Sequence, residues 1–338
     1  MPELRKDPIV GRWVIIATER ARRPGNFVDT NDNVFEGTAE DCPFCHNHDK
    51  VIHSIRNDDP ALHSDWKVLV VASGTPILRI DQHFQHRGHG IYDVLNGYGA
   101  HEVVIESPQH IANMADLSSD QIKAVLQAYA FRINDLEKDH RLQYVLAYKN
   151  YGWTAGARRI GHCRSQIVAT PVNPLRVKEK LIGAKKYYDY RERCIYCDLI
   201  DQEQNDKQRV ILDSQHFIAV IPFAARFLFE TWILPKRHCC DFTRGVEGLE
   251  PDLAAFLKEV LLKIKVGLND PAYNFVIQNA PFRRAHDTKG KWKTIEDDYH
   301  WHIEIMPRLT RVAGFEKGTG FYICPVTPEN MAEYLRGV

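Results

Sequence analysis

Two Cys-x-x-Cys pairs, Cys42/Cys45 in CPFC and Cys194/Cys197 in CIYC, are the residues of this chain best suited to chemistry. At that spacing, two thiolates on one turn can chelate a soft or borderline metal or form a redox dithiol. A structural zinc wants four such ligands in a tetrahedron, and two cysteines with two histidines is a common set. Histidines stand at matching places after each pair. The sequence therefore points to one zinc set of Cys42, Cys45, His110 and His162, and a second of Cys194, Cys197, His238 and His300. A redox dithiol or two buried thiols is the alternative for each pair, although no thioredoxin-like context surrounds them. His46 and His48, just after CPFC, are substitute ligands. Cys163, Cys239, Cys240 and Cys324 read as small buried apolar residues. The stretch DQHFQHRGHG, with His83, His86 and His89, reads as a solvated loop.

The elements that must position these ligands recur along the chain. HEVVIESPQH and FETWILPKRH each read as a strand running to a ligand histidine, with Glu102 and Glu230 both eight residues before it. Each is followed by a helix. In DQIKAVLQAYAFRINDLEKD, Ile122, Val125, Leu126, Tyr129 and Ile133 share a face behind a Ser118 or Ser119 cap. In PDLAAFLKEVLLKIKVGL, Leu253, Phe256, Leu257, Val260 and Leu261 do the same. Matching strands come next, YVLAYKN and YNFVIQN, and then a histidine-bearing strand, HCRSQIVATP from His162 and HWHIEIMP from His300. This order predicts an α+β protein with a duplicated architecture: one half over 1–171, a charged helical connector over 172–193, and a second half over 194–338.

Length and composition fit. The 338 residues suffice for about two domains. Lys plus Arg and Asp plus Glu both number 44, so no net charge pulls the chain toward nucleic acid or an acidic membrane surface. No apolar run approaches the ~20 residues of a membrane span. The start, MPELRKDPIVGRW, lacks an export signal, and a cytoplasmic chain is the expectation.

DPIVGRWVIIATERARRP, CPFC, HEVVIESPQH, the NYGWTAGA turn, HCRSQIVATP, FETWILPKRH and HWHIEIMPRLTRVAGFEKGTGFY, in that order, resemble the galactose-1-phosphate uridylyltransferase family. That family is a duplicated member of the histidine-triad (HIT-like) superfamily. The resemblance implies two tandem HIT-like halves, each an antiparallel sheet flanked by helices, in a homodimer. It also implies galactose metabolism and nucleotidyl transfer between a nucleotide sugar and a phosphate or sugar phosphate. The family's motif is His-x-His-Ser-Gln, whose second histidine attacks the α-phosphate. Here the motif reads His162-Cys163-Arg164-Ser165-Gln166. Arginine stays protonated and has no lone pair to offer phosphorus.

Three mechanisms follow. His302, in His300-Trp301-His302-Ile303-Glu304, repeats the same-face spacing and could attack instead. Alternatively, Arg164 clamps charge while the acceptor attacks directly. In the third, the chain is catalytically silent and binds nucleotide. The resemblance further implies phosphate contacts from Arg20, Arg23, Asn150 and Gln166 and a substrate-side Ser165 in the motif, with Phe315 and Glu316 reaching the sugar in a neighbouring subunit, while Arg158, in an altered loop, adds charge to the pocket. Phe44 could pack on the base or in the core. Uridylyl transfer from UDP-sugars is the leading activity. The alternative is a phosphorylase of ADP-glucose or adenylylsulfate, whose compact phosphate acceptor suits the added Arg158, Arg159 and Arg164.

Overall fold

The computed structural model describes residues 1–20, 35–46, 48–58, 64–283 and 292–338. The first half supplies β3 (Val51–Arg56), β4 (Trp66–Ala72), β7 (Ala100–Ile105), β8 (Tyr144–Tyr151) and β9 (Arg164–Thr170) to the main sheet. The second supplies β10 (Val210–Asp213), β11 (Phe217–Val220), β12 (Thr231–Pro235), β13 (Tyr273–Gln278) and β14 (His302–Pro307). All ten join in one antiparallel sheet, ordered β10-β11-β12-β14-β13-β8-β9-β7-β4-β3. The seam is β8 against β13, with Asn150 opposite Asn274 and Tyr151 opposite Tyr273. The halves are thus antiparallel sheets flanked by helices, fused edge to edge. That fusion removes two strand edges that would otherwise carry unpaired backbone groups.

Three further strands tie the chain ends together. β1 (Glu3–Lys6) pairs with β2 (Trp13–Ile16), and β2 pairs in parallel with β15 (Tyr322–Cys324). The remaining two, β5 (His86–His89) and β6 (Tyr92–Leu95), form an exposed hairpin. The histidine stretch expected as a loop therefore ends in a strand. Its turn, with Gly90 at φ 60°, joins two short partners too exposed to leave a burial pattern in the sequence.

Two long helices from different halves pack together on one face of the sheet. Ser119–Glu137 begins where Ser118 Oγ accepts from the Gln121 amide, and it buries Ile122, Val125, Leu126, Tyr129 and Ile133. Glu250–Gly267 buries Leu253, Phe256, Leu257, Val260 and Leu261. Both apolar stripes enter one hydrophobic core that spans the two halves. Among the described residues, no helix is long and apolar enough to cross a membrane.

The connector helix Leu175–Arg191 lies against the N-terminal segment through a very close approach at Gly183. A Cβ there would fall 1.8 Å from the Ile9 carbonyl oxygen, so only glycine fits. We predict that Gly183→Ala lowers unfolding free energy by about 1–3 kcal/mol, the usual cost of overpacking, in equilibrium denaturation. An unchanged midpoint would show that the helix does not need this approach.

Candidate functional site

The first Cys/His set is brought together from the short helix Pro43–His46 and its leading Cys42, with His110 and His162 from two loops. Cys42 Sγ lies 3.5 Å from His162 Nδ1, and Cys45 Sγ lies 3.4 Å from Nδ1 of both His110 and His162. His162 Nε2 is 2.9 Å from the Ser107 carbonyl, to which it donates. That bond fixes the tautomer and leaves Nδ1 as the lone-pair donor, as in metal-bound histidines. Burial drops the His162 pKa to about 4, which keeps the imidazole neutral. The second set repeats this arrangement: Cys197 Sγ is 3.4 Å from His238 Nδ1 and 3.7 Å from His300 Nδ1. His238 and His300 turn their Nε2 to the carbonyls of Glu296 and Pro235 at 2.9 and 2.8 Å. In each set the four ligand atoms, including that of Cys194 in the second, lie within 4.8 Å of one another, so each could hold a metal ion. His46 and His48 instead bond the Ala39 and Phe44 carbonyls and stand outside the set.

Beside the first set opens a cleft of about 520 Å³. Alternation along β9 decides which motif residues face it. Arg164 and Gln166 line the cleft, with His101, Val103 and Ile105 of the neighbouring β7. Arg164 donates from Nη1 to the Ile160 and His162 carbonyls at 3.1 and 3.0 Å, and from Nη2 to Arg158 O at 3.3 Å. Its guanidinium lies 4.9 Å from the centre of the Phe44 ring. Burial lowers its pKa, but no arginine deprotonates in a protein. Among the described residues the Nε–H and one Nη2–H of Arg164 have no hydrogen-bond partner.

Gln166 is a fixed donor as well. His101 Nδ1 accepts from the Ile77 amide at 3.2 Å, so its Nε2 carries the proton and donates to Gln166 Oε1 at 2.8 Å. The Tyr148 hydroxyl donates to the same oxygen at 3.0 Å. With Oε1 doubly occupied, the Gln166 NH2 is the end available to a ligand. Asn150 and Arg158 also line the cleft, Arg158 with its guanidinium 3.4 Å from Thr75 Oγ1. Phe44, Val71, Val103 and Ile105 give one wall an apolar surface that suits a flat base.

The other face of β9 is a buried network. Lys149 Nζ donates to Glu106 Oε2 at 2.6 Å, to Cys163 Sγ at 3.1 Å and to Arg164 O at 3.0 Å. Burial pulls the Lys149 pKa down, but Cys163 and Glu106 outweigh it and raise the value. Tyr129 Oη lies 2.6 Å from Ser165 Oγ. Ser165, expected at the substrate, therefore points away from the cleft. Its odd-numbered position puts it with Cys163 on the inner face, where it orders the strand.

His302 likewise lies away from the cleft. It has no exposed surface, and its Nε2 lies 3.0 Å from Lys180 Nζ and 3.6 Å from Glu304. Tyr196 and Trp232 flank its ring at 5.1 and 5.3 Å between centroids. Burial, aided by Lys180, lowers its pKa to about 4. It cannot reach a phosphate. Burial alone raises a carboxyl pKa, yet Lys180 and Arg226 hold that of Glu304 well below the ordinary value.

Phe315 and Glu316 lie on the short helix Gly314–Thr319, where Glu316 caps the Ala313 amide at 2.8 Å, and neither lines the cleft of its own chain. Arg23 and the side chain of Arg20 lie outside the described residues. Sequence reasoning missed His101 and Tyr148. Their signal was only the i, i+2 alternation of HEVVI and YVLAYKN, which does not say which face meets a cleft.

Comparison with known proteins adds a family. The model described as galactose-1-phosphate uridyl transferase, N-terminal domain, matches residues 1–174. ADP-glucose phosphorylase of Arabidopsis thaliana is 36% identical, covering 100% of this chain and 93% of that protein. Galactose-1-phosphate uridylyltransferase of Thermotoga maritima is 26% identical, over 99% and 98%. A crystal structure of the Arabidopsis ADP-glucose phosphorylase with bound ADP-glucose superposes with a TM-score of 0.82 at 35% identity, covering 100% of this chain and 99% of that one.

The buried cluster around His302 generates a stability prediction. Lys180→Met leaves Glu304 with Arg226 as its remaining cation, and breaking a buried pair on one side costs about 3–5 kcal/mol. We expect the lower end, about 3 kcal/mol, from urea unfolding. A loss well under 1 kcal/mol would mean that the pair contributes little.

Proposed function

The chain belongs to the galactose-1-phosphate uridylyltransferase family, and on that premise we propose that it cleaves a nucleotide sugar of the ADP-glucose type with inorganic phosphate. One observation carries the proposal: Arg164 stands in the cleft at the motif position of the attacking histidine. A guanidinium cannot form a nucleotidyl intermediate, but it can stabilise charge that grows on a phosphoryl group. In the direct route, a phosphate oxygen bonds to the α-phosphorus and the bond from that phosphorus to the bridging oxygen breaks. Glucose 1-phosphate departs with the bridging oxygen and its electron pair, ADP remains, and the proton of the attacking phosphate passes to solvent.

Several features support this reading. Arg164, Arg158 and the NH2 of Gln166 supply donors to a doubly anionic pyrophosphate. The apolar wall from Phe44 to Ile105 accommodates an adenine ring. The ADP-glucose phosphorylase is 36% identical to the chain and the Thermotoga uridylyltransferase 26%. UDP-glucose, the leading substrate on sequence grounds alone, is accordingly the comparison substrate. A nucleotide-binding protein without turnover is the second reading. It draws on the three Arg164 N–H groups already bonded to loop carbonyls.

Incubation with α-32P-labelled ADP-glucose and phosphate tests the proposal. We expect labelled ADP, no acid-labile label on the protein, and a kcat/KM for Arg164→Met lower by about 10²–10³, the usual loss for one transition-state donor. Arg164→His should instead trap label that acid releases. Micromolar binding without turnover would establish the silent protein; acid-labile label on the unmodified chain would establish a histidine route.

We also propose zinc in both Cys/His sets, and a homodimer in which Phe315 and Glu316 reach the partner's cleft. Metal analysis should give two zinc per chain, with one lost in Cys45→Ser and the other in Cys197→Ser. A ratio of one in the unmodified protein would remove zinc from one set.

A further inference from the structure

Asn150 lines the cleft from the penultimate position of β8, and its amide could present either oxygen or NH2 to a ligand. We infer that Asn274 and Arg308, both from the second half, are positioning residues that turn the NH2 of Asn150 toward the cleft. The inference deepens the reading of this cleft as a phosphate site, because only the NH2 end attracts an anion.

The argument follows donors and acceptors across the seam. Arg308 donates from Nε to Asn274 Oδ1, and a guanidinium has no acceptor to offer. Asn274 must therefore turn its oxygen toward Arg308 and its NH2 away. The NH2 meets two acceptors, the Ala155 carbonyl at 2.9 Å and Asn150 Oδ1 at 2.7 Å. A carbonyl can only accept, so both ends of Asn274 are fixed independently. Asn150, opposite Asn274 in the β8–β13 register, then has its oxygen committed to the seam. Its Nδ2 points to the side of Gly156, 3.7 Å from where a Cβ of that residue would stand. Gly156 lines the cleft with φ +89°, a conformation that lets the turn after Asn150 pass without a side chain. The Asn274 bond to Ala155 also pins that turn. One asparagine of the second half thus sets a donor and a loop of the cleft in the first.

Asn274→Asp reverses the logic. A carboxylate accepts from Arg308 and can only accept from Asn150, so the Asn150 amide turns over and shows its oxygen to the ligand. We expect ADP-glucose affinity, measured by calorimetry, to fall about ten- to a hundredfold, the range for losing one hydrogen bond to a charged group. In the Asn150→Ala background the same change should cost clearly less, because no amide is left to turn and only the bond to the Ala155 carbonyl is lost. Equal losses in both backgrounds would overturn the inference, since they would show that Asn274 acts without Asn150.

A second measurement needs neither ligand nor the aspartate variant. In protein labelled with 15N-asparagine, the side-chain NH2 signals absent from Asn150→Ala identify that residue. Rapid exchange with water is expected for an NH2 that faces the cleft; slow exchange would place it in the seam and sink the proposal. A wild-type chain that fails to bind ADP-glucose would count against the functional reading alone, while the exchange rate still decides the orientation of Asn150.

Discussion

Everything in the cleft depends on the two-residue period of one strand. His162, just before β9, is held by Cys42, Cys45 and the Ser107 carbonyl, which fixes where the strand starts. From that anchor, Arg164 and Gln166 face the cleft, and Cys163 and Ser165 face the interior. A slip of one residue would bury the guanidinium and expose the thiol. The inner face resists such a slip through Lys149, which bonds Glu106, Cys163 and the Arg164 carbonyl together. A fully buried ammonium is stable only with such partners, so the network holds this register and no neighbouring one.

The second half shows what the same strand does when its cleft is filled. Val103 lies opposite Gln166 in the first half, and Trp232 lies opposite Glu304 in the second. The larger ring, with Lys180 from the connector helix and Arg226, occupies the space above β14. Glu304 is then neutralised by the chain's own cations, and a cavity of only about 40 Å³ is left. In the first half, Arg158 and Arg164 of the cleft make no ion pair with a carboxylate among the described residues, and bond instead to Thr75 and to loop carbonyls. One copy satisfies its charges internally and the other leaves them for a ligand.

Much of this was legible in the sequence, for identifiable reasons. Both Cys/His groupings could be read because each ligand sits at an equivalent point of a repeat, and the long helices because their apolar residues keep a 3.6-residue period. The edge-to-edge fusion of the sheets was not legible. β8 and β13 look like any half-buried strands, and their pairing is chosen by contacts between residues more than a hundred positions apart. The placement of His302 and Ser165 away from the cleft was not legible for a related reason. Spacing gives the alternation of a strand but not which face a distant helix covers, and Lys180 lies 122 residues from His302. His101 was overlooked because its role comes from Ile77 and Gln166, which tune its tautomer from two directions.

The chain carries no net charge, so long-range attraction does little to bring an anion to this cleft. Recognition must come from donors already aimed before the ligand arrives. Each one here is aimed by a group that has a single option: a carbonyl for Arg164, a fixed imidazole tautomer for Gln166, and a donor-only guanidinium behind Asn150. Such donors need little reorganisation as charge develops, and that is where electrostatic catalysis gains most over water. Replacing an attacking imidazole by arginine removes a lone pair from this array and adds a fixed positive charge. On the proposed reading, the array is suited to holding an acceptor phosphate beside the pyrophosphate of a nucleotide sugar, the ternary arrangement that a direct displacement requires and a nucleotidyl-histidine route does not.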